Sequence, residues 1–289
     1  MGIREALSDP EPPKLSDDEL LEELQRRGHR VELHPAAGEG QISIAPVISE
    51  THTTTFAVVS DTHLGSKHQQ LTYLHDFYAK AKDRGAQFVL HAGDLDDGPH
   101  QMHKDIIYEQ FVHGYDERVA YHERAYPSGL PTYMLAGNHD TSWLKNAGGN
   151  PVKELAKRRA DITHVGDLGA EVELGNLRVY LWHPFGGVAY ARSYKLQKFI
   201  EQYERGSKPH MVFGGHYHVA ASLPQYQNVS AFLVPCFQSQ TPFIRRLGLN
   251  PEVGGLIITV GWEDVDGKPQ PAHHSADWWF YRRPRPNDY

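Results

Sequence analysis

Residues suited to binding metal ions and moving protons fall in five short clusters of this sequence. Asp61 and His63 lie in SDTHLG, Asp94 and Asp97 in GDLDDG, and Asn138, His139 and Asp140 in GNHD. His183 follows LRVYLW, and His216 and His218 lie in GGHYH. Carboxylates, an amide oxygen and imidazoles, with no thiolate among them, suit borderline or hard divalent ions: Mn, Fe, Zn, or else Mg or Ni. They are too many for one tetrahedral zinc. Two ions roughly 3.5–4 Å apart, as in two-metal phosphate chemistry, would employ them all, with one carboxylate shared. Gly93, Gly137 and Gly215 precede ligand-type residues, and they are expected to let the backbone turn sharply beside the ions. Singly, each residue has a plain alternative: an Asp as a helix cap, a His as a hydrogen-bonded core side chain. The i, i+2 spacing of His216 and His218 puts both rings on one side of an extended segment.

Each cluster stands where a strand should end. Thr54–Ser60 is a β-rich run that stops at Asp61, Gln87–Leu90 leads into HAGDLDDG, and Thr132–Leu135 leads into AGNHD. Leu177–Trp182 ends at His183, and Pro209–Phe213 ends at GGHYH. Leu71, Leu74, Phe77, Tyr78 and Ala81 have helical spacing with Gly85 as a stop, and a long helix is expected from His103 to about Ala125. Strands that alternate with helices imply right-handed crossovers and a largely parallel sheet, with ligands gathered at the carboxyl ends of the strands. Further strands are expected at Glu171–Leu174, Ala231–Pro235 and Gly255–Val260, and a helix over about 193–204. Ser16-Asp17-Asp18-Glu19 reads as a capping box for a short helix over about 17–27, followed by a linker from His34 to Glu50. That helix is expected to dock on the main body; a DNA- or partner-binding helix-turn-helix fragment is the alternative. The aromatic and basic run Trp278–Arg283 reads as a strand or tail over an apolar patch, with a base-stacking platform as the alternative.

With 289 residues, the chain is long enough for one large domain plus an appendage. A net charge of −7 argues against a broad basic surface that coats nucleic acid, but not against a local groove. No stretch approaches the roughly 18 apolar residues of a membrane span, and the N-terminus has no apolar signal region, so a cytoplasmic location is expected. The one cysteine, Cys236, cannot form an intramolecular disulfide and reads as a small buried hydrophobe. Nineteen histidines exceed what packing needs, so position decides which matter. His100 and His103 in PHQMH read as solvated loop residues, with an extra metal site as the alternative.

In order and spacing, SDTHLG, GDLDD, GNHD, the lone His183 and GHYH resemble the five motifs of the calcineurin-like metallophosphoesterase superfamily. The resemblance covers about residues 54–260. It implies an α/β fold, a four-layer α/β/β/α sandwich that would carry the short N-terminal helical appendage. It implies domains at 1–50 (leader, helix and linker), 51–265 (the phosphoesterase domain) and 266–289 (the aromatic, basic tail). It assigns Asp61, His63 and His218 to one metal, and Asn138, His183 and His216 to the other, with Asp94 bridging. His139 resembles the general acid, oriented by Asp140. Gly98 and Asp140 stand where the protein Ser/Thr phosphatases have Arg and Glu, and Asp97 stands where purple acid phosphatases have a metal-binding Tyr. The motif style is most similar to the branch of Mre11/SbcD-type nucleases and phosphodiesterases.

The expected reaction is in-line hydrolysis of a phosphate ester by water activated between two divalent ions, manganese ahead of iron, zinc, nickel and magnesium. His139 would protonate the leaving oxygen. The preferred substrate is a diester or nucleic acid; a monoester or cyclic nucleotide is the alternative, and a non-catalytic scaffold subunit is the alternative of another class. Lys67, Lys145, Tyr190 and Arg192 are candidates for gripping substrate, with His68, Asn146 and Tyr194 beside them. The N-terminal helix or the C-terminal tail could serve a homo-oligomer or a protein partner; no membrane contact is expected.

Overall fold

A computed structural model of the chain describes residues 40–289 apart from 47, 100–103 and 205, and all belong to a unit that runs from Pro35 to Tyr289. The N-terminal helix expected over 17–27 and both histidines of PHQMH lie outside the described residues. Two six-stranded sheets carry the fold. One has the order β12 (Lys268–Phe280), β11 (Gly254–Val265), β2 (Thr53–Val59), β3 (Val89–His91), β4 (Thr132–Leu135) and β5 (Ile162–Gly166). The other has the order β1 (Gly40–Ile44), β6 (Gly169–Leu174), β7 (Leu177–Trp182), β8 (Met211–Gly214), β10 (Val229–Leu233) and β9 (Ala221–Tyr226). Strands β2 to β5 are mutually parallel, as the strand–helix alternation predicts, and so are β7, β8 and β10 in the second sheet.

Period-two alternation divides each strand between two cores. In β2, Phe56 and Val58 join Leu135, Val179, Phe213 and Leu256 in a cluster drawn from both sheets. The alternate residues Ala57 and Val59 pack with Leu74, Phe77, Tyr78 and Ala81 of helix α1 (Leu71–Asp83) and with Leu155 of α4 (Pro151–Arg158). On the far side of the second sheet, Val212, Val229 and Ala231 meet Leu196, Phe199 and Ile200 of α5 (Tyr194–Glu201). The result is helices, sheet, sheet, helix: four layers, each stabilised by about 1.5–3 kcal/mol for every large side chain it removes from water.

Four expectations need correction. The linker read over His34–Glu50 contains β1, which pairs in parallel with β6. The boundary at residue 265 falls inside the β11–β12 hairpin, although the aromatic run is, as expected, a strand over apolar surface, with Trp278 against the inter-sheet core and Trp279 and Tyr281 against the helix side. Lys80 and Arg84 sit over the Trp279 ring, which is therefore no open platform for bases. The helix expected from His103 is two pieces, a 3₁₀ turn (Lys104–Glu109) and α2 (Tyr115–Ala125). Gly114 at φ +84° separates them, and the Ser66–Gln110 bridge holds the intervening chain. Beyond β12 the chain returns across the loop after the first motif. There Asp288 accepts from Thr72 N (2.8 Å) and Gln69 Nε2 (3.1 Å), and Arg285 N donates to Gln70 (2.7 Å).

Beneath the strand ends lies a buried ion cluster. Arg118 of α2 is 1% exposed, and its Nη1 is 3.0 Å from both oxygens of the fully buried Asp96. His122 Nε2 lies 2.8 Å from the same carboxylate, and Trp143 Nε1 donates to it at 2.9 Å. Burial, the largest single effect, would raise the Asp96 carboxyl, but the Arg118 guanidinium, His122 and the Trp143 hydrogen bond together outweigh it and hold the group well below the usual carboxylate range. Removing one member of such a pair leaves a buried charge uncompensated. Arg118→Met is expected to cost about 3–5 kcal/mol of stability, read as a lowered urea midpoint with unchanged slope.

Candidate metal centre

All five clusters converge at one edge, above the carboxyl ends of β2, β3, β4, β7 and β8. Past the strands, the loops go on pairing: Asp61 N donates to Gly93 O (2.8 Å), Thr62 N to Asp94 O (2.9 Å) and Leu64 N to Leu95 O (2.8 Å). The side chains gather because the backbone reverses at the ligands themselves. Asp61, His63, Asp94, His216 and His218 all have left-handed φ, between +45° and +76°. Each such residue is strained by about 1–2 kcal/mol, and the surrounding hydrogen bonds hold it there. Of the three glycines expected to make the turns, Gly93 does so at φ +101°. Gly137 is extended, and Gly215 has no positive φ. These two are glycine for space: a Cβ would strike the Asp94 carboxylate at Gly137, and Ser60 Oγ and Ala92 O at Gly215.

The predicted ligand atoms form two groups. In the first, His63 Nε2 is 3.0 Å from His218 Nε2, and Asp61 Oδ1 is 3.3 Å from His218 Nε2 and 3.9 Å from His63 Nε2. In the second, Asn138 Oδ1 is 2.8 Å from His216 Nδ1 and 3.1 Å from His183 Nε2, which is 3.1 Å from Asp94 Oδ2. Asp94 Oδ2 also lies 3.9 Å from His63 Nε2, so this oxygen faces both groups. Its partner Oδ1 is occupied by His139 N–H (2.9 Å), and both Asp61 oxygens accept His216 N–H at 2.9–3.0 Å.

Three rings have their outer nitrogen committed as a donor, which fixes the tautomer. His63 Nδ1 donates to Asp97 Oδ1 (3.1 Å), His183 Nδ1 to Ala92 O (2.7 Å) and His216 Nε2 to Gly186 O (2.8 Å). Their inner nitrogens therefore present lone pairs to carboxylate and amide oxygens, acceptors facing acceptors at 2.8–3.9 Å. That arrangement is favourable only around a cation or a proton. The donor set fits two divalent ions. Without them a proton takes the place: burial lowers the His183 imidazole, but Asp94 beside it raises it to about 9.

His139 stands next to both groups. Its ring packs edge-on to His63, with centroids 4.7 Å apart, and its Nε2 is 3.9 Å from Asp94 Oδ2. The carbonyl of Asp97 accepts from Nδ1 at 2.7 Å. That contact does the orienting expected of Asp140, whose oxygens instead accept Gly137 N (2.9 Å), Leu95 N (3.1 Å) and Asp96 N (2.9 Å). Asp140 thus ties the third motif to the second. Burial first and the Asp94 charge second push its carboxyl well above the usual range.

The predicted substrate residues fare unequally. Lys145 lines the cleft above the centre. Lys67 Nζ donates to Tyr108 O (2.8 Å), and Arg192 pairs with Glu252 (2.8 Å), while Tyr190 is fully exposed. His68, Asn146 and Tyr194 are likewise outside the lining of the cleft. Sequence reasoning missed Gln110 and Gln238, which donate to Asp97 Oδ2 (2.9 Å) and Oδ1 (3.1 Å) and so hold the carboxylate that orients His63. Gln238 follows β10, another parallel strand of the second sheet, so the strand-end rule itself was the available signal.

Comparison with known proteins accords with this geometry. A family model described as the calcineurin-like phosphoesterase superfamily domain matches residues 55–235. Among curated proteins, none matches. Among solved structures, the chain is similar to the calcineurin-like phosphoesterase YfkN of Bacillus subtilis, at 9% identity and a TM-score of 0.39 over 78% of this chain and 90% of that one. It is similar to a phosphatase of Mycoplasma pneumoniae, at 10% identity and a TM-score of 0.42 over 80% and 94%. It is also similar to Vps29 of Chaetomium thermophilum, at 12% identity and a TM-score of 0.38 over 80% and 99%. The match of the family model over most of the chain settles the membership: this protein belongs to the calcineurin-like phosphoesterase superfamily.

Proposed function

We propose that the chain is a metal-dependent hydrolase of phosphate esters, with diesters of small organic groups as its preferred substrates. One observation carries the reading: two groups of acceptor atoms meet at Asp94 Oδ2, with His139 Nε2 3.9 Å from that oxygen. Asp61, His63 and His218 would hold one ion and Asn138, His183 and His216 the other, with Asp94 common to both. Nitrogen and oxygen donors without sulfur favour manganese, with iron, zinc, nickel or magnesium as substitutes. Two such ions, when bound, would supply the Lewis acidity that polarises a phosphoryl group and lowers the pKa of water. His139 has its Nδ1–H committed to the Asp97 carbonyl, so Nε2 is the nitrogen that exchanges a proton, carrying one in the imidazolium form. Partly exposed at the cleft, that atom hands the proton to the departing oxygen. A cleft of about 1000 Å³, lined by the motif loops and by stretches around Ile106, Phe185 and Phe243, leaves room for a group on each side of the phosphate, which favours a diester.

A nuclease is the second reading, from the motif style. It needs cations along the cleft to neutralise a phosphate backbone, and among the described lining residues Lys145 is the sole Lys or Arg. Manganese-loaded protein assayed against a phosphomonoester, a diester, a cyclic nucleotide and single- and double-stranded DNA separates these. The diester is expected to turn over fastest. Hydrolysis of the monoester alone would overturn the preference, and fastest turnover on DNA would establish the nuclease reading.

Three further outcomes follow from the geometry. Asp94→Asn should lower the content of both metals by elemental analysis and reduce turnover to background. His139→Ala should keep both metals, yet slow esters with poor leaving groups by about 10²–10⁴-fold and esters of nitrophenol far less. Because metal and proton compete for His183 Nε2, and this imidazole is raised to about 9, metal affinity should climb as pH rises towards 9 and level off above it. At pH 7.5, binding should release protons, seen as a calorimetric enthalpy that varies with the buffer.

A further inference from the structure

We propose that the cleft selects phosphoesters bearing an apolar hydrocarbon group, which lies along its wall while the phosphate sits at the metal centre. The inference rests on the phosphoesterase reading and names the substrate class of that site. The wall beyond the ligands is built of Leu144 from α3 (Asn138–Ala147), Phe185 and Val188 from the loop after β7, and Phe243, Ile244 and Leu247 of the segment around α6 (Pro242–Arg246). Leu144, Phe185 and Leu247 are 47–57% exposed, yet all three face one opening. Large apolar side chains left half in water and gathered at one mouth mark a surface made to be covered.

Charge points the same way. Among the described lining residues, Lys145 is set against the carboxylates of Asp94, Asp97 and Glu109. The neighbouring cations do not turn to the cleft: Lys67 donates to Tyr108 O and Arg192 is paired with Glu252. A ligand anchored by one phosphate at the metals and otherwise uncharged matches this wall. A polyanionic strand does not. A cleft of about 1000 Å³ accepts a group of drug-like size.

An alkyl chain and an aryl group share this chemistry, and the test separates them. Methyl-, butyl-, octyl- and phenylphosphonate, none of which can be hydrolysed, are titrated into manganese-loaded protein by calorimetry. A fully buried methylene tightens binding by about fourfold, so octyl should exceed methyl by at least about tenfold even when half covered. Phenyl ahead of octyl identifies an aryl substrate; octyl ahead of phenyl identifies a chain. Phe185→Asp combined with Leu247→Asp, both exposed positions, should flatten the series while metal content stays at the level of the parent protein. Equal affinities across the series would overturn the inference, as would tighter binding of a DNA oligonucleotide than of octylphosphonate. Chain-length dependence without turnover of any ester would keep the inference and refute the phosphoesterase reading; turnover with a flat series would do the reverse.

Discussion

Acceptor atoms that face one another at hydrogen-bond distance repel, and the fold above the strand ends exists to hold them so. The lone pairs of His63, His183 and His216 are aimed inward because Asp97, Ala92 and Gly186 each take the hydrogen on the opposite side of the ring. Asp61 is clamped by a backbone amide across both oxygens, and Asp94 by the amide of His139 on one. Five left-handed residues bear the local strain of bringing these groups together. Those conformations persist because the loops remain paired beyond the last strand residues, and because glycine at 137 and 215 lets backbone lie where a methyl group would collide.

Rigidity is supplied from below. Asp96, between Asp94 and the orienting Asp97, turns away from the centre into Arg118, His122 and Trp143. Successive carboxylates of GDLDD therefore do three different things. One faces both groups of candidate ligand atoms, one anchors α2 and α3 beneath them, and one aligns the first-motif histidine. Asp140 adds a fourth tie by accepting amides of the second motif. A shift in any of these loops would be felt by the others, since Asp61, His63, Asp94 and His183 are each held by a residue of a different cluster.

Much of this was legible in the sequence, and the reason is periodicity. Strands β2, β4 and β7 alternate or run apolar and then stop at polar residues, so both the strand and its end show in the letters. The ligand set appears because its members stand at those ends. What stayed hidden depends on partners distant in sequence. Strand β1 is a polar-alternating pentapeptide whose identity comes from pairing with β6, and β12 contains Pro269 and Pro271, which mask an edge strand. The orientation of His139 by a backbone carbonyl rather than by Asp140 could not be read, because every residue offers a carbonyl and only geometry selects one. Likewise Gln110 is an ordinary glutamine until the fold sets it against Asp97, whereas Gln238 follows a parallel strand and so lay within reach of the strand-end rule.

The return of residues 281–289 across the loop after the first motif has a consequence in time. Asp61 and His63 are made early, yet Asp288 fastens Thr72 across 216 positions of sequence, and β2 lies between β3 and the late strand β11. Folding of the centre waits for those long-range pairings. The complete constellation of candidate ligand atoms therefore belongs to the finished sheets and not to the first half of the chain.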